Sequence, residues 1–286
     1  MALSDGQIPC PYCGSVHTYQ RGDSHRHICK DCGSSFSILQ RTIFENTKLP
    51  LRKWFAAIYL FSAHKKGISS HQLHRDLGVT QKTAWYMLQR IRMLVGQNPD
   101  YVLHGDVEID ETYFGGKEAF KHEWKKAQPK EGKGKQNRGL SDKVPVFGMV
   151  ERNGKAVVLP LENTRLETIY PIIKRQVSTS ANVYTDESHL YKGLVEQGFV
   201  NHSTVNHSKK EYKRGRSTTN TVEGMWSHLN RMVTGVYHHI SKEHLLSYLD
   251  ESTFRWNTRK WNSAFRFAEM FRNIGHVVRQ WDCKAA

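Results

Sequence analysis

Three acids in this chain could hold divalent cations: Asp110 in Val107-Glu108-Ile109-Asp110-Glu111-Thr112-Tyr113-Phe114-Gly115-Gly116, Asp186 in Tyr184-Thr185-Asp186, and Glu223 in Thr219-Asn220-Thr221-Val222-Glu223. Cleaving a phosphodiester in line requires stabilising an attacking and a leaving oxygen. Two ions about 3.5–4 Å apart on oxygen ligands do this. One acid bridging both ions, with one more for each, is a minimal set. Each acid also has a plainer reading. Asp110 and Asp186 could be strand-end residues facing water. Glu223 stands three residues after Asn220, as in a capping box in which it would only satisfy helix backbone.

A second constellation is Cys10-Pro11-Tyr12-Cys13 and Cys29-Lys30-Asp31-Cys32, two CxxC pairs with a glycine directly after each, Gly14 and Gly33. This is the spacing of a four-cysteine zinc site, with Cys10, Cys13, Cys29 and Cys32 as ligands. A unit of about 40 residues has little core of its own, so metal binding would supply its folding energy. Two disulfides are the alternative, and a reducing location argues against them. His17, His25 and His27 lie within the loop and are not needed as ligands. Cys283 stands alone.

The elements that would position the three acids can be read from periodicity. Residues 107–114 alternate as a strand, with Val107 and Ile109 on one face and Glu108 and Asp110 on the other. Glu111 and Glu187 then point away from the site. Val144–Val150 and Ala156–Leu159 are apolar strands joined by a hairpin at Arg152-Asn153-Gly154-Lys155. Asn163-Thr164 caps a helix to about Val177, with Leu166, Ile169, Tyr170 and Ile173 inward and Pro171 as a kink or restart. Ala181–Thr185 is the next strand, residues 188–197 a short helix, and Val205 lies in a brief last strand. A helix with apolar Val222, Trp226, Leu229 and Val233 carries Glu223, and Asn230 and Arg231 share its face where they could hold a phosphate. An antiparallel meander of three strands, then a crossover setting the fourth beside the first, is the order of a ribonuclease-H-like α/β fold. It would put Asp110 and Asp186 side by side.

Before this domain, Leu51, Trp54, Phe55, Ile58 and Phe61 recur at helical spacing. Residues 69–86 then read as helix, turn at Gly78, and a second helix capped by Thr80 and burying Ala84, Leu88, Ile91 and Val95. Gln81, Lys82 and Thr83 are the positions a recognition helix would offer a major groove. An ordinary helical hairpin is the alternative. The expected division is a zinc ribbon at 1–40, a helix-turn-helix domain at 41–98, and a catalytic domain at 99–286.

Charge points to the partner. Lys plus Arg number 42 against 27 acids, a net charge of +15, which favours a polyanion and above all nucleic acid. Lys117–Asp142 is a basic insertion, and Lys209 and Lys210 open a basic loop that could meet phosphates. Trp256, Trp261, Phe265, Phe267 and Phe271 could stack on bases, although their helical spacing favours core packing. No apolar run is long enough to span a bilayer, and the first residues lack a signal pattern. A cytoplasmic, nucleoid-associated protein is expected.

Taken in order, several motifs resemble a known family: Val107–Lys117, Tyr184-Thr185-Asp186-Glu187, Asn206-His207-Ser208, Thr219–Ser227, Gly235-Val236-Tyr237-His238 and Tyr248–Arg259, behind the cysteine pairs. The chain resembles the DDE-type bacterial insertion-sequence transposases with an N-terminal zinc ribbon, relatives of the Merlin transposases. The resemblance implies binding of double-stranded DNA at terminal inverted repeats and at a target. It implies cleavage and strand transfer with Mg²⁺ or Mn²⁺, a structural Zn²⁺, and a homo-oligomer on DNA. Asp110 and Asp186 would be the first two metal-binding acids. The third would be Glu223, or Asn220, since some members carry Asn. Where the family has a basic residue about two turns after the third acid, this chain has Asn230 and then Arg231. A nuclease or resolvase of the same fold, and a non-catalytic DNA-binding regulator, are the rival readings.

Overall fold

The computed structural model describes residues 8–22, 26–115, 143–205 and 218–274. It divides into two compact units, one built from the described residues up to Ala63, from Ser70–Leu94 and from Asn262 onward, the other from His64–Ser69 and Val95–Trp261.

The first unit opens with an antiparallel sheet of β1 (Thr18–Gln20), β2 (Arg26–Cys29) and β3 (Ser35–Ser37). Its core is small, with Cys10, Cys29 and Phe36 buried and Ile8 against them. Helices follow. α1 (Leu51–Ala63) buries Trp54, Ala57, Ile58 and Phe61 on one stripe, while Phe55 stays 42% exposed. α2 (Ser70–Leu77) and α3 (Gln81–Arg92) are joined through Gly78, whose φ of +56° suits a residue without Cβ. Thr80 caps α3 by accepting from the Thr83 N–H, as expected, and α3 buries Ala84, Met87, Leu88 and Ile91. α7 (Ser263–Arg272) belongs to this unit, though it falls within the expected 99–286 stretch. Phe267 packs on Tyr59 and Phe271 on Phe55, so these two aromatics are packing residues, whereas Phe265 is 66% exposed.

The second unit is the expected ribonuclease-H-like α/β architecture. Its sheet runs β6-β5-β4-β7-β8, from β4 (Asp106–Phe114), β5 (Val144–Glu151), β6 (Ala156–Pro160), β7 (Asn182–Asp186) and β8 (His202–Val205). β4, β5 and β6 pair antiparallel, with Asn153 taking φ 60° in the hairpin; β4 to β7 and β7 to β8 are parallel. One face of the sheet buries Val107, Ile109, Phe147, Met149 and Val183 with Ile169 and Ile173 of α4 (Leu166–Gln176). The other buries Val146, Val150 and Val158 with Val222, Met225, Trp226 and Leu229 of α5 (Asn220–Met232), and with Leu245 and Leu249 of α6 (Leu245–Asn257).

Two local expectations need correction. Asn163 does not cap α4. Its Oδ1 accepts from the Arg165 N–H and the Thr168 hydroxyl in a turn, and the helix starts at Leu166, which is 40% exposed rather than inward. α4 also runs through Pro171, which is exposed on its solvent side, so the carbonyl that its missing N–H leaves unpaired is open to solvent. Among the described residues, no helix is long and apolar enough to cross a membrane.

Candidate active site

β4 carries the site because its two faces have different chemistry. Val107 and Ile109 enter the core on the α4 side, and Glu108 and Asp110 face α5. The parallel register pairs Glu108 with Tyr184, so two residues further on Asp110 and Asp186 come to the same edge of neighbouring strands. Asp186 ends β7, and its Oδ1 accepts from the Ser188 N–H at 3.0 Å.

Glu223 stands in the first turn of α5, the helix that covers this face of the sheet. It is exposed, as are Asn220, Ser227, Asn230 and Arg231, which follow one another along the helix at intervals of three or four or lie next to one that does. The capping-box reading does not hold. The N-cap is Thr219, Asn220 is the first helical residue, and the Thr219 hydroxyl donates to Glu223 Oε1 at 3.1 Å. The carboxylate that caps this helix is Glu108. Its Oε2 accepts from the Thr221 N–H at 2.6 Å and from the Val222 N–H at 3.0 Å. Its Oε1 accepts from the Thr221 hydroxyl at 3.0 Å and from Arg152 Nε at 2.7 Å.

Trp226, one turn after Val222, donates its indole N–H to Asp110 Oδ2 at 2.8 Å. The ring lies over Gly148, the residue paired with Asp110 on β5; a Cβ there would come within 2.6 Å of the indole Cζ2. Glycine at this position is a seat for the ring.

Electrostatics tie the three acids together. Burial pushes the Asp110 carboxyl up to about 6; the negative charges of Asp186 and Glu223 push the same way, and the Trp226 N–H opposes them. On the opposite face, Glu111 accepts a hydrogen bond from the Tyr191 hydroxyl, and burial lifts it to about 7, with Asp110 and Asp186 adding to the rise. Glu111 thus points away from α5, as alternation requires, and Glu187 is exposed. Glu108, Arg152 and the indole N–H of Trp226 were not singled out from sequence. The available signal was Glu108 alternating in phase with Asp110, between the apolar Val107 and Ile109.

The cysteines form a separate centre. The ligating atoms of Cys10, Cys13, Cys29 and Cys32 all lie within 4.8 Å of one another. The Cys10–Cys32 and Cys13–Cys29 sulfurs are 3.6 Å apart. A tetrahedral ion with zinc–sulfur bonds of about 2.3 Å needs edges of about 3.8 Å, and a disulfide needs about 2.05 Å. The thiols therefore fit a zinc ion. Both pairs share one backbone pattern: Gly14 N–H to Cys10 O and Cys10 N–H to Ser15 O, repeated as Gly33 to Cys29 and Cys29 to Ser34. Gly14 and Gly33 take φ of +77° and +70°. Among the described residues no three acids draw their ligand atoms as close as the cysteines do. Like charges repel without a cation, and two ions would share the acids over a longer span.

Of the residues expected to touch DNA, Lys82 is exposed at the start of α3. Gln81 donates to Ser70 Oγ at 2.8 Å, and the Thr83 and Thr80 hydroxyls are 2.8 Å apart, so both are engaged within the helical pair. Arg231 is exposed on α5. Lys209, Lys210, the Asn206-His207-Ser208 motif, the Lys117–Asp142 insertion, His25 and Cys283 lie outside the described residues.

The five-stranded mixed sheet with helices on both faces defines a ribonuclease-H-like domain. Residues 102–257 match the ISXO2-like transposase domain, and the chain belongs to that family. An uncharacterized protein in transposable element ISH50 of Halobacterium salinarum is 32% identical over 251 residues, spanning 85% of this chain and 83% of that protein. An uncharacterized transposase-like protein of Haemophilus influenzae is 33% identical over 101 residues, 35% of this chain and 78% of its own length. The crystal structure of a pre-cleavage Mos1 transpososome aligns with a TM-score of 0.27 at 14% identity, over 82% of this chain and 80% of that one.

Proposed function

We propose that the chain is a DNA transposase that binds the terminal inverted repeats of an insertion sequence and cuts and rejoins strands at Asp110, Asp186 and Glu223. The observation that carries this reading is geometric: the parallel register of β4 and β7 brings Asp110 and Asp186 to one edge of neighbouring strands, under the helix that bears Glu223 and bonds Asp110 through Trp226. Such a cluster of acids, on a domain of this family, is stable at neutral pH once a cation joins it. Asp110 Oδ1, Asp186 and Glu223 would hold the ions, and Asn220 is the alternative third ligand. Bound Mg²⁺ or Mn²⁺ would supply the Lewis acid that activates water and steadies the leaving oxygen. Trp226 would hold Asp110 in one rotamer, and Arg231 would meet a phosphate on the Glu223 face of α5. The cysteine ribbon with its Zn²⁺, and Lys82 with Gln81 and Thr83 at the start of α3, would bind the element ends, with Lys209 and Lys210 on the backbone nearby. The functional division is 1–40, 41–98 and 99–286, working as a homo-oligomer on paired DNA ends in the bacterial cytoplasm.

The test is cleavage of a duplex carrying candidate terminal repeats, with Mg²⁺, by wild type and by Asp110→Asn, Asp186→Asn, Glu223→Gln and Asn220→Ala. The first three should lose at least 10³-fold in cleavage and keep DNA binding, whereas Asn220→Ala should stay within a fewfold. Normal cutting by the Asp110 and Asp186 variants would remove the catalytic assignment. Pre-cut ends that yield no joined product would reduce the reading to a nuclease.

A further inference from the structure

We infer that Glu108 is a positioning residue for Glu223: a buried carboxylate on β4 that holds the first turn of α5 and so sets where the third acid stands. The inference rests on the reading of Glu223 as a metal ligand.

Glu108 has no solvent exposure. A charge taken out of water is stable only when its oxygens are fully partnered. Here both are. Oε2 takes two backbone N–H groups, and Oε1 takes the Thr221 hydroxyl and Arg152 Nε. Those N–H groups belong to the first turn of a helix, which has no intrahelical partners for them and carries the positive end of the helix dipole. Arg152 adds a second tie to the same turn by donating to the Thr218 carbonyl at 3.0 Å, and its guanidinium stacks 4.1 Å from the Tyr184 ring on β7. A residue serving only the core would be apolar here, as Val146, Val150 and Val158 are on the same face.

Spacing shows what this tie controls. Two residues along a strand advance about 6.7 Å, and four along a helix about 6 Å. β4 therefore meets α5 twice in step: Glu108 at Val222, and Asp110 at Trp226. Glu223 directly follows the residue that Glu108 holds, and its position relative to Asp110 is set by the two contacts together.

The experiment uses the full chain and two readouts: Mn²⁺ binding to DNA-free protein, followed by electron paramagnetic resonance, and Mg²⁺-dependent cleavage of terminal-repeat DNA. In Glu108→Gln an amide group faces the helix N–H donors. Mn²⁺ affinity at the site abolished by Glu223→Gln should fall at least tenfold, and the Mg²⁺ concentration for half-maximal cleavage should rise by a similar factor, with DNA binding unchanged. Thr221→Val removes one bond to Glu108 while its backbone bond remains; it should weaken Mn²⁺ two- to fivefold, with a modest fall in Tm and cooperative unfolding retained. Wild-type metal affinity in Glu108→Gln overturns the inference. Should that variant not fold, wild-type affinity in Thr221→Val overturns it instead. Wild-type Mn²⁺ binding and cleavage in Glu223→Gln would overturn the functional reading itself, and with it the ligand Glu108 is said to position.

Discussion

Trp226 and Asp110 are joined by a single hydrogen bond of 2.8 Å, from a helix to the strand it covers. The indole N–H is donated to Oδ2. The bond also opposes the rise in the Asp110 pKa. Trp226→Phe keeps most of the buried ring and removes the donor. It should destabilise the chain by about 1 kcal/mol and, without metal, shift the titration of Asp110 above about 6. An unchanged carboxyl titration by carbon NMR in metal-free Trp226→Phe would mean that the bond does not act on Asp110.

Asp110 itself should titrate in a defined window. Its folded pKa of about 6 is above the ordinary 3.8. The folded chain therefore binds the proton more tightly than the unfolded one, and stability falls as pH rises from about 4 to about 6. Asp110→Asn should remove that penalty. Without metal it should be more stable than wild type at pH 8, by up to roughly 3 kcal/mol, and show little of this gain at pH 4. Thermal melts of both proteins at the two pH values decide it. A gain equal at both would place the effect elsewhere.

The cysteine centre predicts one zinc per chain. Removing it with a strong chelator, or replacing Cys13 with Ser, should unfold β1–β3, since the three-residue apolar cluster of Cys10, Cys29 and Phe36 cannot hold that sheet alone. Zinc content by mass spectrometry and loss of strand signal by circular dichroism are the measurements. DNA-end affinity should fall more than tenfold, with the second unit still folded.

A buried ion pair braces α6. Glu251 is fully buried and accepts from Arg255 Nε at 3.0 Å, Arg255 Nη2 at 2.7 Å and the Tyr237 hydroxyl at 2.7 Å. Arg255→Ala removes the counter-charge of a buried carboxylate and should cost about 3–5 kcal/mol in urea unfolding. Replacing both residues with Met should cost clearly less. A double variant worse than the single one would show that the pair is worth more than its desolvation.

The sheet order was legible because β4, β5 and β7 have strong period-two or continuous apolar patterns, and a crossover between parallel strands leaves few arrangements. The edge shared by Asp110 and Asp186 follows from that order. The origin of α5 was not legible. Asn220 and Glu223 have capping-box spacing, but the cap is Glu108, 113 residues from Thr221 in sequence, and a local pattern carries no information about so distant a partner. The same limit hid Trp226: apolar at helical spacing, it reads as core, and it is buried, yet its one polar atom is aimed at Asp110. Asn163 failed as a cap for a local reason, because its side chain closes a turn with Thr168 before the helix begins.

The parallel pairing of β4 with β7 makes the distance between the first two acids a property of the sheet. Adjacent strands lie about 4.8 Å apart whatever connects them. The chain between Asp110 and Asp186 can therefore lengthen or shorten at its turns without touching the site. A slip of one residue in the β4–β7 register would instead turn Asp186 to the other face. Divergent relatives should accordingly differ most in the length of these connections and least in the phase of the two strands.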